Sequence, residues 1–431
     1  MTLLAGTGAT PRTARLEKLT GLRFIAAALV FAFHASVEGF FSDAGIQDGF
    51  AALFQKAGWI GVSFFFVLSG FVLAWTARPD DTARRFWQRR LAKIYPNHLV
   101  TAVIALTAAA GVSGALALPG AVPNLLLVHA WYPRIEIFLS GNPVSWSLAC
   151  ELLFYLSFPL LWRFLSRIGP AYLWGCAAAT AVAIWCVPLL AQLLPDGPQA
   201  AMPDGTVGVT RFWFVYVLPS TRVLEFVLGI LVARIVREGL LVRVRVLPAA
   251  ALVLASYWLA CQVPYLFSLV ALPAVPLALL VAAVTQADLA GPPRGSGPAA
   301  RVPVWLGEVS FGFYMVHGLV LLYGHRLLGA GESLPAPVAV AVILAAFVVS
   351  LVLAWLLHTV VEQPVVRWTA ARQRRRAPVR RDGHVLVAPA GGGGAPPPPA
   401  HDTPPRTEER GVGEEFWIKR VYIGGGRINK K

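Results

Sequence analysis

Residues 22–40 read LRFIAAALVFAFHASVEGF, an apolar run that opens on Arg23 and carries His34 near its far end. About 30 Å of hydrocarbon takes roughly twenty such residues in a helix. Ten runs of this kind recur, near 22–40, 58–76, 98–118, 146–165, 171–193, 213–235, 246–262, 265–286, 303–323 and 336–360. The stretch 119–131 is too short and too proline-rich to make an eleventh. Of the 431 residues, 57% are hydrophobic and only 14% charged. Soluble domains carry nearer a quarter. The expected fold is an all-α polytopic membrane protein of about ten transmembrane helices with both termini cytoplasmic.

The formal charge of +15 invites a nucleic-acid reading, and its placement argues against one. With a cytoplasmic N-terminus, alternating loops put seventeen arginines and lysines between Arg12 and Arg301 on the inside. Only Lys56, Arg134, Arg211 and Arg326 fall outside. That is the positive-inside bias of a membrane protein, so no nucleic-acid partner is expected. Cys150, Cys176, Cys186 and Cys261 fall within the runs without zinc or redox spacing, and they read as packing residues. No metal site is expected.

Residues 1–17 form a polar cytoplasmic segment without a cleavable signal pattern, and 18–368 form the membrane domain. Residues 369–431 start basic and turn rich in glycine and proline, which predicts a disordered cytoplasmic tail. The basic start suits an anionic leaflet.

Ionisable groups inside a span cost free energy on insertion and mark function or buried pairs. Arg23 and His34 stand eleven residues apart. At 100° per residue that is three turns plus about 20°, so both face one way, separated by ~16 Å along the axis. Glu151, in NPVSWSLACELLFYLSFPLLW (142–162), sits at a depth similar to that of His34 when counted from the outer ends of the spans. A His34–Glu151 contact would orient the ring. Catalysis and a plain helix-locking ion pair both fit it. Arg84, Arg85, Arg89, Arg90 and Lys93 crowd the loop RRFWQRRLAKIYP (84–96). Topology accounts for some of that charge, and a polyphosphate ligand beside Arg23 fits the rest. Arg222 and Glu225, three apart, read as a structural pair. Ser310, Tyr314 and His317 share a helix face that can line a cavity, whereas His358 and Glu362 read as interfacial. Ser69 and Gly70 read as small residues that let helices approach closely.

Seven stretches in this order resemble the acyltransferase-3 family of integral membrane O-acyltransferases. They are LTGLRFIAAALVFAFH (19–34), GWIGVSFFFVLSGFVLAW (58–75), RRLAKIYP (89–96), SWSLACELLFYLSFPLL (145–161), RVLEFVLGILVA (222–233), LGEVSFGFYMVH (306–317) and VEQPVVRW (361–368). The resemblance implies transfer of an acyl group, usually acetyl, from cytosolic acyl-CoA to a hydroxyl. Acyl-CoA is then a co-substrate, and no cofactor is permanently bound. The acceptor would be an envelope glycan, a lipid-linked sugar, or a small molecule such as a macrolide. By the same resemblance the cell membrane is the site of action, and the amino-acid usage suggests a high-GC bacterium. The family motif maps onto Arg23 and His34, with His34 as base and Glu151 as its carboxylate partner. Arg23, Arg89, Arg90 and Lys93 would hold the CoA phosphates; Lys93 stands where arginine is usual. Ser147, Tyr314 and His317 are the expected acceptor contacts. The competing reading is a multi-span transporter or flippase without acyl-transfer activity.

Overall fold

The structure, a computed structural model, describes residues 16–78, 81–113, 118–202, 205–290, 298–327 and 333–375, all within one compact unit, Met1–Ala377. The N-terminal segment to residue 15 and the tail beyond 375 lie outside the described residues. Helix dominates because a backbone in hydrocarbon has no water to bond and must satisfy its own N–H and C=O groups.

In chain order the helices are α1 (Glu17–Val37), α2 (Ala44–Phe54), α3 (Ala57–Trp75), α4 (Ala83–Ser113), α5 (Leu118–Leu125), α6 (Ile135–Phe138) and α7 (Trp146–Leu165). They continue with α8 (Leu173–Ala191), α9 (Val209–Phe212), α10 (Pro219–Arg237), α11 (Val246–Ala260), α12 (Tyr265–Leu269), α13 (Ala271–Ala290), α14 (Pro298–Leu327), α15 (Ala336–Leu356) and α16 (Gln363–Arg375). A hairpin of β1 (Gln199–Met202) and β2 (Gly205–Gly208) follows α8, with Gln199 opposite Gly208.

Nine stretches among the described residues are long and apolar enough to span a bilayer. The tenth expected span, 246–262, is the fifteen-residue α11. At 1.5 Å per residue it reaches only ~22 Å. The basic stretch 84–96 is helix rather than loop: α4 runs unbroken from Ala83 to Ser113. Arginine, lysine, glutamine and leucine all favour helix, and no breaker precedes Pro96. Residues 118–131 do not cross; α5 turns back through Leu127, a buried leucine held at φ +56°.

The core is α3. All of its residues except Phe65, Ser69 and Val72 are buried, and those three share one stripe. Its strongest packing is against α10, where a Cβ on Gly70 would strike the Phe226 carbonyl and one on Gly229 the Val67 carbonyl. Gly70 does allow the close approach expected of it, whereas Ser69 lies on the unburied stripe. Arg222 and Glu225 form a fully buried ion pair of 3.1 Å on α10. The guanidinium lies between the rings of Phe66 (4.9 Å) and Tyr216 (4.7 Å) and donates to Ser63 Oγ.

Candidate active site

Helices α1 and α14 lie side by side and carry the two ends of the site. Gly307 allows the approach, since a Cβ there would meet the Thr20 carbonyl. Farther along, Phe24 and Phe31 pack on Phe313. The phase read from the sequence holds, for both Arg23 and His34 turn towards α14.

At the His34 end, His34 Nδ1 lies 2.9 Å from the Val30 carbonyl and 3.2 Å from His317 Nε2. His317 Nδ1 faces two backbone carbonyls, Tyr314 O at 2.8 Å and Phe313 O at 3.2 Å. Carbonyls only accept, so His317 Nδ1 carries the hydrogen and its Nε2 is the acceptor. His34 therefore donates from Nδ1, and its Nε2 keeps a lone pair with no partner among the described residues. His317 is fully buried and both ring nitrogens are engaged. The acceptor contact expected of it is not what the structure shows; it backs His34 instead.

One turn towards the Arg23 end, Tyr314 and Ser147 meet hydroxyl to hydroxyl at 2.8 Å, and both also reach the Val144 carbonyl. They face a cavity of about 50 Å³, which also touches Arg23, Glu151 and Ser310. That is room for a few waters or a small group. Val62, Phe65, Phe66, Leu148 and Phe311 make its apolar wall.

Glu151 does not touch His34. Its Oε2 accepts from Tyr155 at 3.2 Å, and it shares the cavity with Arg23. The expectation of equal depth fails at the other helix: α7 begins at Trp146 as expected, but α1 ends at Val37 rather than 40, so His34 stands three residues from its helix end and Glu151 five from its own. Ser147 falls at the Tyr314 level, and Glu151 one turn farther towards Arg23. The charges that act on Glu151 are Arg23, Lys93 and Arg90.

Those three cations form the other end. Lys93 feels Arg23, Arg90, Glu151 and Glu362. Arg90 lies over the Phe86 ring at 5.5 Å, and its Nε is buried without a partner. None of the three makes an ion pair within 4 Å among the described residues. Arg89 differs: both arms of its fork bond Asp81.

Sequence reasoning missed two polar groups. Glu362 is buried within the protein, accepting from Asn97 at 3.1 Å with His358 Nδ1 at 3.4 Å. The residues 357–362 form a π-helical turn, which swings Glu362 inward beside Lys93. Beneath α5, Asn124 donates to Ser145 Oγ and the Ser140 carbonyl, and Asn142 donates to the Met315 carbonyl. His129 lies 3.2 Å from Ser145 and is pushed down to about 3, by burial first and then by His98. This neutral network fixes the turn that delivers Ser147. Asn142-Pro143, a capping residue before proline, is its one sequence signal.

A family model described as an acyltransferase domain matches residues 16–358 of the chain. Acyltransferase MdmB of Streptomyces mycarofaciens is 44% identical over 375 residues, which cover 84% of this chain and 95% of that protein. No solved structure matches the chain.

Proposed function

Because this chain belongs to the acyltransferase-3 family, we propose that it carries a short acyl group, acetyl first, from cytosolic acyl-CoA to a hydroxyl of a carbohydrate or glycosylated small molecule. The chain is a membrane acyltransferase, which sets aside a transporter without acyl-transfer activity. The plasma membrane of a high-GC bacterium is the setting we assign to it.

The observation that carries the donor reading is the spacing of unpaired cations and free imidazole nitrogen along α1. An extended pantetheine arm is on the order of 15 to 20 Å, against ~16 Å of rise between Arg23 and His34. Phosphates held by Arg23, Arg90 and Lys93 would leave the thioester near His34. Arg89, engaged with Asp81, steadies the start of α4 beside them. Glu151 is the counter-charge that keeps the three cations ordered.

The chemistry then follows from the tautomer. His34 Nε2 takes the proton of the acceptor hydroxyl as the oxygen attacks the thioester carbonyl carbon. The C–O bond forms, the C–S bond breaks, and the leaving thiolate takes the proton from the imidazolium. His317 accepts from His34 Nδ1 and holds the ring, while Ser147 and Tyr314 offer hydroxyls to the acyl carbonyl or the acceptor. The apolar wall around about 50 Å³ favours a short acyl chain.

The test is CoA release from acetyl-CoA by purified wild type and His34→Ala, with and without glycosylated acceptors. Release that requires an acceptor and is lost in the variant supports the reading. Release by His34→Ala near the wild-type rate would overturn the assignment of the base.

A further inference from the structure

A second cavity lies away from this site, between the first half of α4 and the terminal helix α16. It measures about 470 Å³, the size of a small-molecule site. Two helical stripes make its walls. From α4 come Gln88, Leu91, Tyr95 and Leu99; from α16 come Val365, Trp368 and Arg372. The helices run antiparallel here, because Asn97 bonds Glu362 just before α16 while Gln373, near its far end, donates to the Arg85 carbonyl at 3.1 Å and to Gln88 Oε1 at 3.2 Å.

That pairing gives the groove a direction. Arg85 lies three residues before Gln88 on the same α4 stripe, just beyond the lining, with its carbonyl bonded to Gln373 next to Arg372, which does line the groove. Both arginines are exposed, and neither has a carboxylate partner among the described residues. Arg372 stacks on Trp368, 5.3 Å from the ring centroid. At the other end the lining turns apolar with Leu99 and Val365. Leu99 (40%), Trp368 (61%) and the adjacent Val366 (38%) are exposed, so the groove opens sideways on the surface that a bilayer would cover. Tryptophan and arginine together mark the interfacial level.

We propose that this groove binds one anionic phospholipid, with its phosphate on Arg85 and Arg372 and an acyl chain along Leu91, Tyr95, Leu99 and Val365. Charge complementarity fixes the class, since two unpaired guanidinium groups head an apolar trough. A free anion would leave the trough unfilled, and a neutral lipid would leave both forks unanswered. The cations of the active site, Arg23, Arg90 and Lys93, do not line this groove, so it is separate from the donor mouth. The lipid would clamp α16 to α4. Because α16 continues directly from the π-helical turn that carries Glu362, the clamp would also hold Glu362 beside Lys93.

The experiment uses the full chain in micelles and reads Trp368. With fourteen tryptophans present, the difference between wild type and Trp368→Phe isolates its emission. Brominated phosphatidylglycerol and brominated phosphatidylcholine are titrated at equal mole fraction. The expected result is severalfold stronger quenching by the glycerol lipid, reduced to the choline level in Arg85→Gln/Arg372→Gln and largely kept in Arg372→Lys. Equal quenching by the two lipids in wild type would overturn the proposal, as would a preference that survives the double substitution. Loss of the glycerol-lipid signal on adding CoA would also overturn it, by making the groove part of the donor site. If the double variant does not fold, the lipid comparison on wild type and on Arg372→Lys still decides.

Discussion

His34 and His317 meet across α1 and α14, Nδ1 to Nε2, at 3.2 Å. The contact is directional, because His317 is itself committed through Nδ1 to the Tyr314 carbonyl. A chain of two donors, each ending on an acceptor, leaves one lone pair free at His34 Nε2. In the proposed reaction that nitrogen is the base, with His317 positioning it.

Replacing His317 should therefore hurt turnover more than binding. His317→Ala leaves the His34 N–H with only the Val30 carbonyl, 2.9 Å away on its own helix, and kcat should fall about ten- to a hundredfold. KM for either substrate should change little, since His317 is fully buried and does not line the cavity beside Tyr314. His317→Gln retains an acceptor oxygen and should recover much of the loss. Steady-state kinetics of the two variants check it, and equal defects in both would remove the hydrogen bond from the explanation.

Glu151 separates two pictures of the same site. Had it oriented His34, its loss would mimic that of His34. In this structure it balances Arg23, Arg90 and Lys93 instead. Glu151→Gln removes a negative neighbour from an anion-binding cluster, so CoA should bind more tightly, by about 1 kcal/mol or close to fivefold. Turnover should fall as the cations lose their order. Calorimetric titration with CoA measures the first effect independently of the second.

The helices were legible because each needs a long apolar run, and the facing of Arg23 and His34 because a rigid helix fixes phase over eleven residues. Depth between helices was not legible. Glu151 and His34 were placed by counting from the ends of their spans, and the end of α1 at Val37 rather than 40 shifts the origin for His34. The partner of His34 came from α14, 283 positions away, and no local pattern announces such a neighbour. The burial of Glu362 was not legible for a different reason. A π-helical turn rotates the face after it, and apolar periodicity at 3.6 residues per turn does not reveal the extra residue.

Phe65 should set the length of the acyl chain. It is one of three α3 residues not buried in the core, and its ring stands edge-on to Tyr314 at 5.9 Å in the wall of the small cavity. Phe65→Ala opens that wall without touching His34 or the cations. The ratio of kcat/KM for butyryl-CoA over acetyl-CoA should rise about tenfold or more, the scale at which a pocket discriminates between methylenes. Parallel losses with both donors would place the chain-length limit elsewhere.

The pair Arg222–Glu225 makes a prediction about stability rather than rate. Both side chains are completely buried, and Arg222 Nε and Nη1 have no hydrogen-bond partner among the described residues. Such a pair is held together by mutual need: each charge is costly alone, while the two together roughly offset their desolvation. Arg222→Met should strand the fully buried Glu225 carboxylate without its counter-charge, and cost about 3 to 5 kcal/mol. Arg222→Met with Glu225→Leu removes the stranded charge as well and should return most of that loss. Thermal unfolding of the detergent-solubilised variants gives the order, with the single substitution lowest and the double between it and wild type. If the double variant were the less stable of the two, the pair would contribute more than charge balance, and Ser63, which accepts from Arg222, would be the next position to replace.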